Sequence, residues 1–219
     1  MPYYLLSLLV LCILFTCGPA LENQSEVDEL GYRTEYQTDP ETGQRQGLAR
    51  QYAPDGTLLA EENYLDGQLD GTRTAYYPDG RQEIVETYRA GQFEGEYRTY
   101  DSLGNLRLRG QYVDGAMGKD WIRYWPNGEV REVVAFTDNR ENGPFREWFE
   151  NGQPSAAGTY LNGKEEGMLY VYDEADGGLL AVRHCTAGVC TTQWRREDGG
   201  TAPGSPPDMQ RPAGTQATQ

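Results

Sequence analysis

Few residues in this chain have the type and spacing to do chemistry. His184 is the single histidine. That rules out a His-rich metal site and argues against a Ser-His-Asp triad. Cys185 and Cys190 lie five residues apart and flank Thr186-Ala187-Gly188-Val189. In an oxidising compartment this pair would staple one hairpin as a disulfide, adding about 2 kcal/mol through loop entropy. The competing reading is a CxxxxC metal or redox pair, but a structural zinc site needs a full tetrahedral ligand set and only His184 is near. Asp55, Asp79, Asp66 and Asp114 recur in register, yet nothing resembles an EF-hand loop, and each already has a turn to form. Glu61-Glu62 and Glu165-Glu166 are adjacent pairs. Neighbours on a strand point to opposite faces, so neither pair can act together. There is no P-loop or dinucleotide fingerprint. The expectation is no catalytic residue, no metal and no cofactor.

The charge excludes another class. Net charge is −15 over 219 residues. Phosphate binding needs clustered Lys and Arg, so nucleic acid is not an expected partner. The plain reading of the acid excess is solubility. Apolar residues make up 37% of the chain, and Tyr (16) far outnumbers Phe (5). Tyr suits half-wet positions, with the ring buried and the hydroxyl hydrated. A thin, extended architecture follows.

The first residues read as a targeting segment. Leu5 to Cys17 is almost continuously apolar but too short to span a bilayer, and it fits a signal-peptide core. Met1-Pro2-Tyr3-Tyr4 lacks the usual basic residue. Leu14-Phe15-Thr16-Cys17 resembles a bacterial lipobox, with Thr16 where a smaller residue is usual. Residues 1–17 would then be removed up to a lipidated Cys17, and residues 18–30 would form an acidic spacer. The alternative is ordinary cleavage after Ala20.

The elements that must position everything else repeat every 24 residues. One glycine family is Gly47, Gly71, Gly95, Gly118 beside Lys119, Gly143 and Gly167. A second is Gly56, Gly80, Gly104, Gly128, Gly152 and Gly177. A third is Gly67, Gly91, Gly115, Asn139, Gly163 and Gly188. Aromatic residues run in step: Tyr52, Tyr76, Tyr100, Tyr124, Trp148 and Tyr172 in one column, and Tyr64, Tyr88, Tyr112, Phe136 and Tyr160 in another, where the last repeat has Cys185. Each unit reads as two strands and two turns. Pro78-Asp79-Gly80 is a turn by the chemistry of each residue, and Arg81 to Tyr88 returns as a strand. No helical period interrupts this. The fold class is therefore all-β: tandem β-hairpins in an elongated antiparallel meander over 31–197. About twelve strands at about 4.8 Å give a sheet roughly 55–60 Å long. The two columns are expected to form one stripe of rings along one face, with the intervening strand filling the gaps. No unit should be stable alone.

The junctions Tyr64-Leu65-Asp66-Gly67-Gln68-Leu69-Asp70-Gly71, Tyr88-Arg89-Ala90-Gly91-Gln92-Phe93-Glu94-Gly95 and Tyr160-Leu161-Asn162-Gly163-Lys164-Glu165-Glu166-Gly167 carry a resemblance. So does Trp121-Ile122-Arg123-Tyr124-Trp125-Pro126-Asn127-Gly128-Glu129. They resemble the MORN repeat in its variant form, as in YwqK-type antitoxin-like repeat proteins and their bacterial lipoprotein relatives. The resemblance implies a binding or scaffold role, with membrane tethering elsewhere in the family. It also leaves open an antitoxin-like or immunity protein that neutralises a toxin.

The expected function is a non-catalytic scaffold of the bacterial envelope, anchored through its N-terminal lipid, that binds a protein or glycan. Soluble periplasmic or secreted placement is the alternative. The doubled aromatics Tyr76-Tyr77, Tyr124-Trp125 and Trp148-Phe149 put a ring on each face, which nominates Tyr77, Trp125 and Phe149 as a partner patch. Residues 198–219 are rich in Gly, Pro, Ser, Thr and Gln and read as a disordered tail.

Overall fold

The computed structural model describes residues 20–118 and 120–212. The segment read as a signal peptide, with Cys17, lies outside them. The strands are β1 (Glu22–Val27), β2 (Arg33–Thr38), β3 (Arg45–Tyr52), β4 (Leu58–Leu65), β5 (Gln68–Tyr76), β6 (Gln82–Arg89), β7 (Gln92–Tyr100), β8 (Leu106–Val113), β9 (Ala116–Met117), β10 (Asp120–Tyr124), β11 (Val130–Thr137), β12 (Arg140–Trp148), β13 (Pro154–Leu161), β14 (Lys164–Glu165), β15 (Gly167–Tyr172), β16 (Leu179–Thr186) and β17 (Val189–Arg195). A short 3-10 turn, Arg196–Asp198, follows. Successive strands pair antiparallel from β1 to β17. β9 and β14 are short lead-in pieces: β8 pairs with β9 and then β10, and β13 with β14 and then β15. The product is one open meander of tandem hairpins.

Two kinds of turn explain the period. At one edge, pairs such as Asp66-Gly67, Ala90-Gly91, Asn162-Gly163 and Ala187-Gly188 both have positive φ. That is the two-residue hairpin turn whose twist matches the strands. Their N–H groups are satisfied by the preceding repeat. Gly67, Gly91 and Gly115 donate to the carbonyls of Arg45, Leu69 and Phe93 at 2.8–3.0 Å. Where an acid precedes the junction glycine it takes the other N–H in three repeats: Asp70 accepts from Ala90, Glu94 from Asp114 and Glu166 from Ala187. The junction sequence is thus a staple between neighbouring repeats. At the other edge, Ala53 N–H bonds the Thr57 carbonyl, Gly56 N–H bonds the Ala53 carbonyl, and the Asp55 carboxylate accepts the Thr57 N–H at 2.9 Å. The same asparagine or aspartate contact recurs at Asp79, Asn127 and Asn151, while Asp101, two places earlier in its turn, accepts from the Leu103 N–H.

The rings do not form a single stripe. Gly71, Gly95 and Gly143 sit directly across from Tyr88, Tyr112 and Tyr160, so each pair shares a face. The first column lies five residues beyond those glycines, and an odd step along a strand reverses the face. The columns therefore lie on opposite faces. Face one carries Tyr64, Tyr88, Tyr112, Phe136 and Tyr160. Face two carries Tyr52, Tyr76, Tyr100, Tyr124, Trp148 and Tyr172. Gap filling does occur on face one, where Phe93 stacks between Tyr88 and Tyr112 at 4.6 and 4.7 Å.

Face one changes character along the sheet. One column reads Ala49, Arg73, Tyr97, Trp121, Phe145 and Leu169 at 24-residue steps. Early on, Arg73 bridges Glu62 at 3.0 Å and Glu86 at 2.9 Å. Later, Trp121, Val134, Phe145, Leu169 and Cys185 form a buried apolar cluster. Gly110 makes room for Trp121, and Gly158 for Phe145: a Cβ there would meet the rings at 2.3 and 2.8 Å. Burying such a ring yields about 4–6 kcal/mol before entropy.

The described segments on either side of the repeats depart from expectation. The supposed acidic spacer contributes β1, because Glu22 to Val27 can pair residue by residue with Thr38 to Arg33 at the open edge of β2. The tail, expected to be disordered, runs over face two as far as Pro212. Ala202 and Met209 partly bury their side chains there, which gives an otherwise polar segment a place to dock.

Candidate functional site

Glu132 and Glu147 break a pattern on face one. Equivalent cross-strand pairs in the other repeats are Ala60 with Ala75, Ile84 with Thr99, Leu108 with Arg123, and Ala156 with Val171. Among the described residues, only β11 and β12 place two carboxylates directly opposite each other. Like charges in that arrangement destabilise a sheet. Arg123 pairs with Glu132, which is buried. Glu147 has its carboxyl pushed up by burial and then by Glu132, against the pull of Arg131 and Arg123. A sheet that needed only packing would carry Ala or Val here, as its neighbours do.

These acids line a hollow of about 360 Å³ together with Arg123, Arg131, Glu141, Trp125, Phe149 and Tyr160. Strand alternation brings Arg123, Glu132 and Glu147 inward, and the residues just after β10 and β12 add Trp125 and Phe149. Trp125 is fixed at both ends. Its Nε1 donates to the Trp148 carbonyl at 2.9 Å, and the Arg131 guanidinium lies 4.9 Å from its ring centre. Tyr160 leans on Phe145 at 4.5 Å. Its phenol is pushed up to about 12 by burial and by Glu141, Glu147, Glu132 and Glu165. The hollow thus offers carboxylate acceptors beside aromatic faces, a setting suited to a cationic or donor-rich group.

Of the nominated patch, Trp125 and Phe149 meet in this hollow and Tyr77 does not. Asp101 holds the place between Tyr77 and Trp125 in the column, and the Tyr77 hydroxyl donates to the Tyr100 carbonyl at 2.8 Å. The doubled aromatics do divide between the faces: Tyr124 and Trp148 are buried on face two, while Trp125 and Phe149 are half-buried on face one. The acid pair was not singled out from the sequence. The signal was there, as charges at places where the other repeats carry mostly small or apolar residues.

Cys185 and Cys190 are cross-strand partners in β16 and β17 and form a disulfide, with Cα atoms 4.0 Å apart. Glu165 Oε2 lies 3.7 Å from Cys190 Sγ. The bond occupies both sulfurs, so the metal reading of this pair does not describe the structure.

No curated protein matches this chain. Three segments, residues 45–66, 93–114 and 141–162, match the family model described as MORN repeat variant, so this chain carries a tandem array with MORN-like repeats.

Proposed function

We propose that this chain is a non-catalytic repeat scaffold that holds a protein or glycan partner on face one, in the bacterial envelope. One observation carries the reading: the acid pair Glu132 and Glu147 opens into the same hollow as Trp125 and Phe149. Interface anchors are commonly aromatic, and their setting is a pocket that pre-orders them. The Cys185–Cys190 disulfide supports an oxidising compartment, and the Leu14-Phe15-Thr16-Cys17 box supports a lipid anchor.

The binding claim is tested by pull-down from envelope fractions with the full chain and with Phe149→Ser plus Glu147→Gln. Recovery of a specific partner should fall at least tenfold (about 1.4 kcal/mol) while the circular dichroism spectrum stays unchanged. Undiminished recovery contradicts the site. Palmitate labelling tests the anchor. The label should be lost with globomycin or Cys17→Ser, and a chain that never takes label has no such anchor.

A further inference from the structure

Face two carries a second surface, which the chain's own tail covers. Tyr124, Trp148, Tyr170, Tyr172 and Val182 are buried there. The covering segment, residues 199–212, reads Gly-Gly-Thr-Ala-Pro-Gly-Ser-Pro-Pro-Asp-Met-Gln-Arg-Pro. It has no strand of its own and joins no ladder. Met209 packs against both apolar clusters of the face, and Ala202 against one. Two indoles hold the backbone: Trp194 Nε1 donates to the Gly199 carbonyl at 2.9 Å, and Trp148 Nε1 to the Met209 carbonyl at 3.1 Å. Arg211 pairs with Glu129. Pro212 reaches a further hollow beside Gln111, Ile122 and Val133.

This is the chemistry by which proteins read proline-rich chains. A proline-rich segment whose backbone carbonyls are not taken up by a ladder offers them to indole N–H groups and lays its apolar side chains on aromatic faces. The resident tail fits imperfectly. The Tyr172 hydroxyl, on a side chain only 7% exposed, finds no hydrogen-bond partner among the described residues. The strap also starts from Gly199 and Gly200, both at positive φ, a link able to swing.

We propose that face two is a docking groove for an extended proline-rich segment of a partner protein with a cationic residue near its end, and that the tail is the tethered resident of that groove. The cation is read by Glu129. A tethered occupant acts at an effective concentration of the order of millimolar. A free ligand then binds with an apparent affinity lowered in proportion to the closed fraction.

The test is fluorescence anisotropy of a labelled peptide spanning residues 199–212, titrated with the full chain. Met209→Asp with Arg211→Glu loosens the strap. The loosened chain should bind the peptide at least tenfold more tightly than the natural chain. Arg211→Glu with Glu129→Arg re-forms the ion pair in reverse and closes the strap, so this chain should bind the peptide no more tightly than the natural chain does. A peptide with Pro203→Ala, Pro206→Ala and Pro207→Ala should bind the loosened chain at least fivefold more weakly. Equal binding by natural and loosened chains overturns the proposal. So does no binding by a loosened chain that keeps its β spectrum. Loss of that spectrum overturns it too, because the tail would then be part of the core rather than an exchangeable occupant.

Discussion

Glu147 shows how a single side chain separates packing from function. Its carboxyl titrates above the ordinary value of 4.5 in the folded chain. The folded state therefore holds its proton to higher pH than the unfolded state. Stability linked to this group is greatest below about pH 4.5 and declines as pH rises through the raised folded value. Glu147→Gln should accordingly raise the melting temperature at pH 7 and leave it unchanged near pH 4; a gain equal at both would remove the charge argument. Gly110 makes the opposite point. An alanine there drives a methyl group into the Trp121 ring, and Gly110→Ala should cost about 1–3 kcal/mol by urea unfolding. Both positions were open to the 24-residue period. Trp121 and Phe145 fall in the same register as Arg73 and Tyr97, but a search for aromatics beside recurring glycines stops short of a column that begins with Ala49 and Arg73. Which rings share a face was also legible, through the odd spacing from glycine to ring.

Turns decide the architecture at the scale of the element. Ala90 and Ala187 occupy positions with positive φ where Asp or Asn stands in other repeats. The left-handed conformation is costly for alanine and mild for asparagine. Ala90→Asn should therefore stabilise the chain by about 1 kcal/mol, read as a shift of the urea midpoint with unchanged slope. Removing a staple should act the other way. Asp70→Ala leaves the Ala90 N–H without its acceptor and should cost about 1 kcal/mol. Turns and strands were readable because Gly, Pro, Asp and Asn impose local geometry wherever they fall. β1 and the tail were not. Neither has a periodic pattern of its own, and each is ordered by surface that the repeats present: the open edge of β2 for one, the rings of face two for the other.

Across the whole molecule the sheet has two unlike faces. Among the described residues, ten tyrosines have phenols held above the ordinary value of 10.0, burial being the leading cause in nine and the Glu26 hydrogen bond in Tyr36. Each binds its proton more tightly folded than unfolded, so the stability linked to these phenols is undiminished below pH 10 and falls as pH climbs toward about 12, where Tyr88 and Tyr160 titrate. Phenolate absorbance should rise together with loss of the β spectrum. Smooth ionisation of an intact sheet would mean that the rings are not packed as described. Face one remains the surface assigned to a partner, and a photo-crosslinking residue introduced in living cells tests that assignment most directly. Placed at Phe149, beside the acid pair, it should give one specific adduct that Glu147→Gln diminishes; placed at the exposed Gln111 on the opposite face it should not give that adduct. The same adduct from both positions, or none from Phe149, would contradict a binding site on face one.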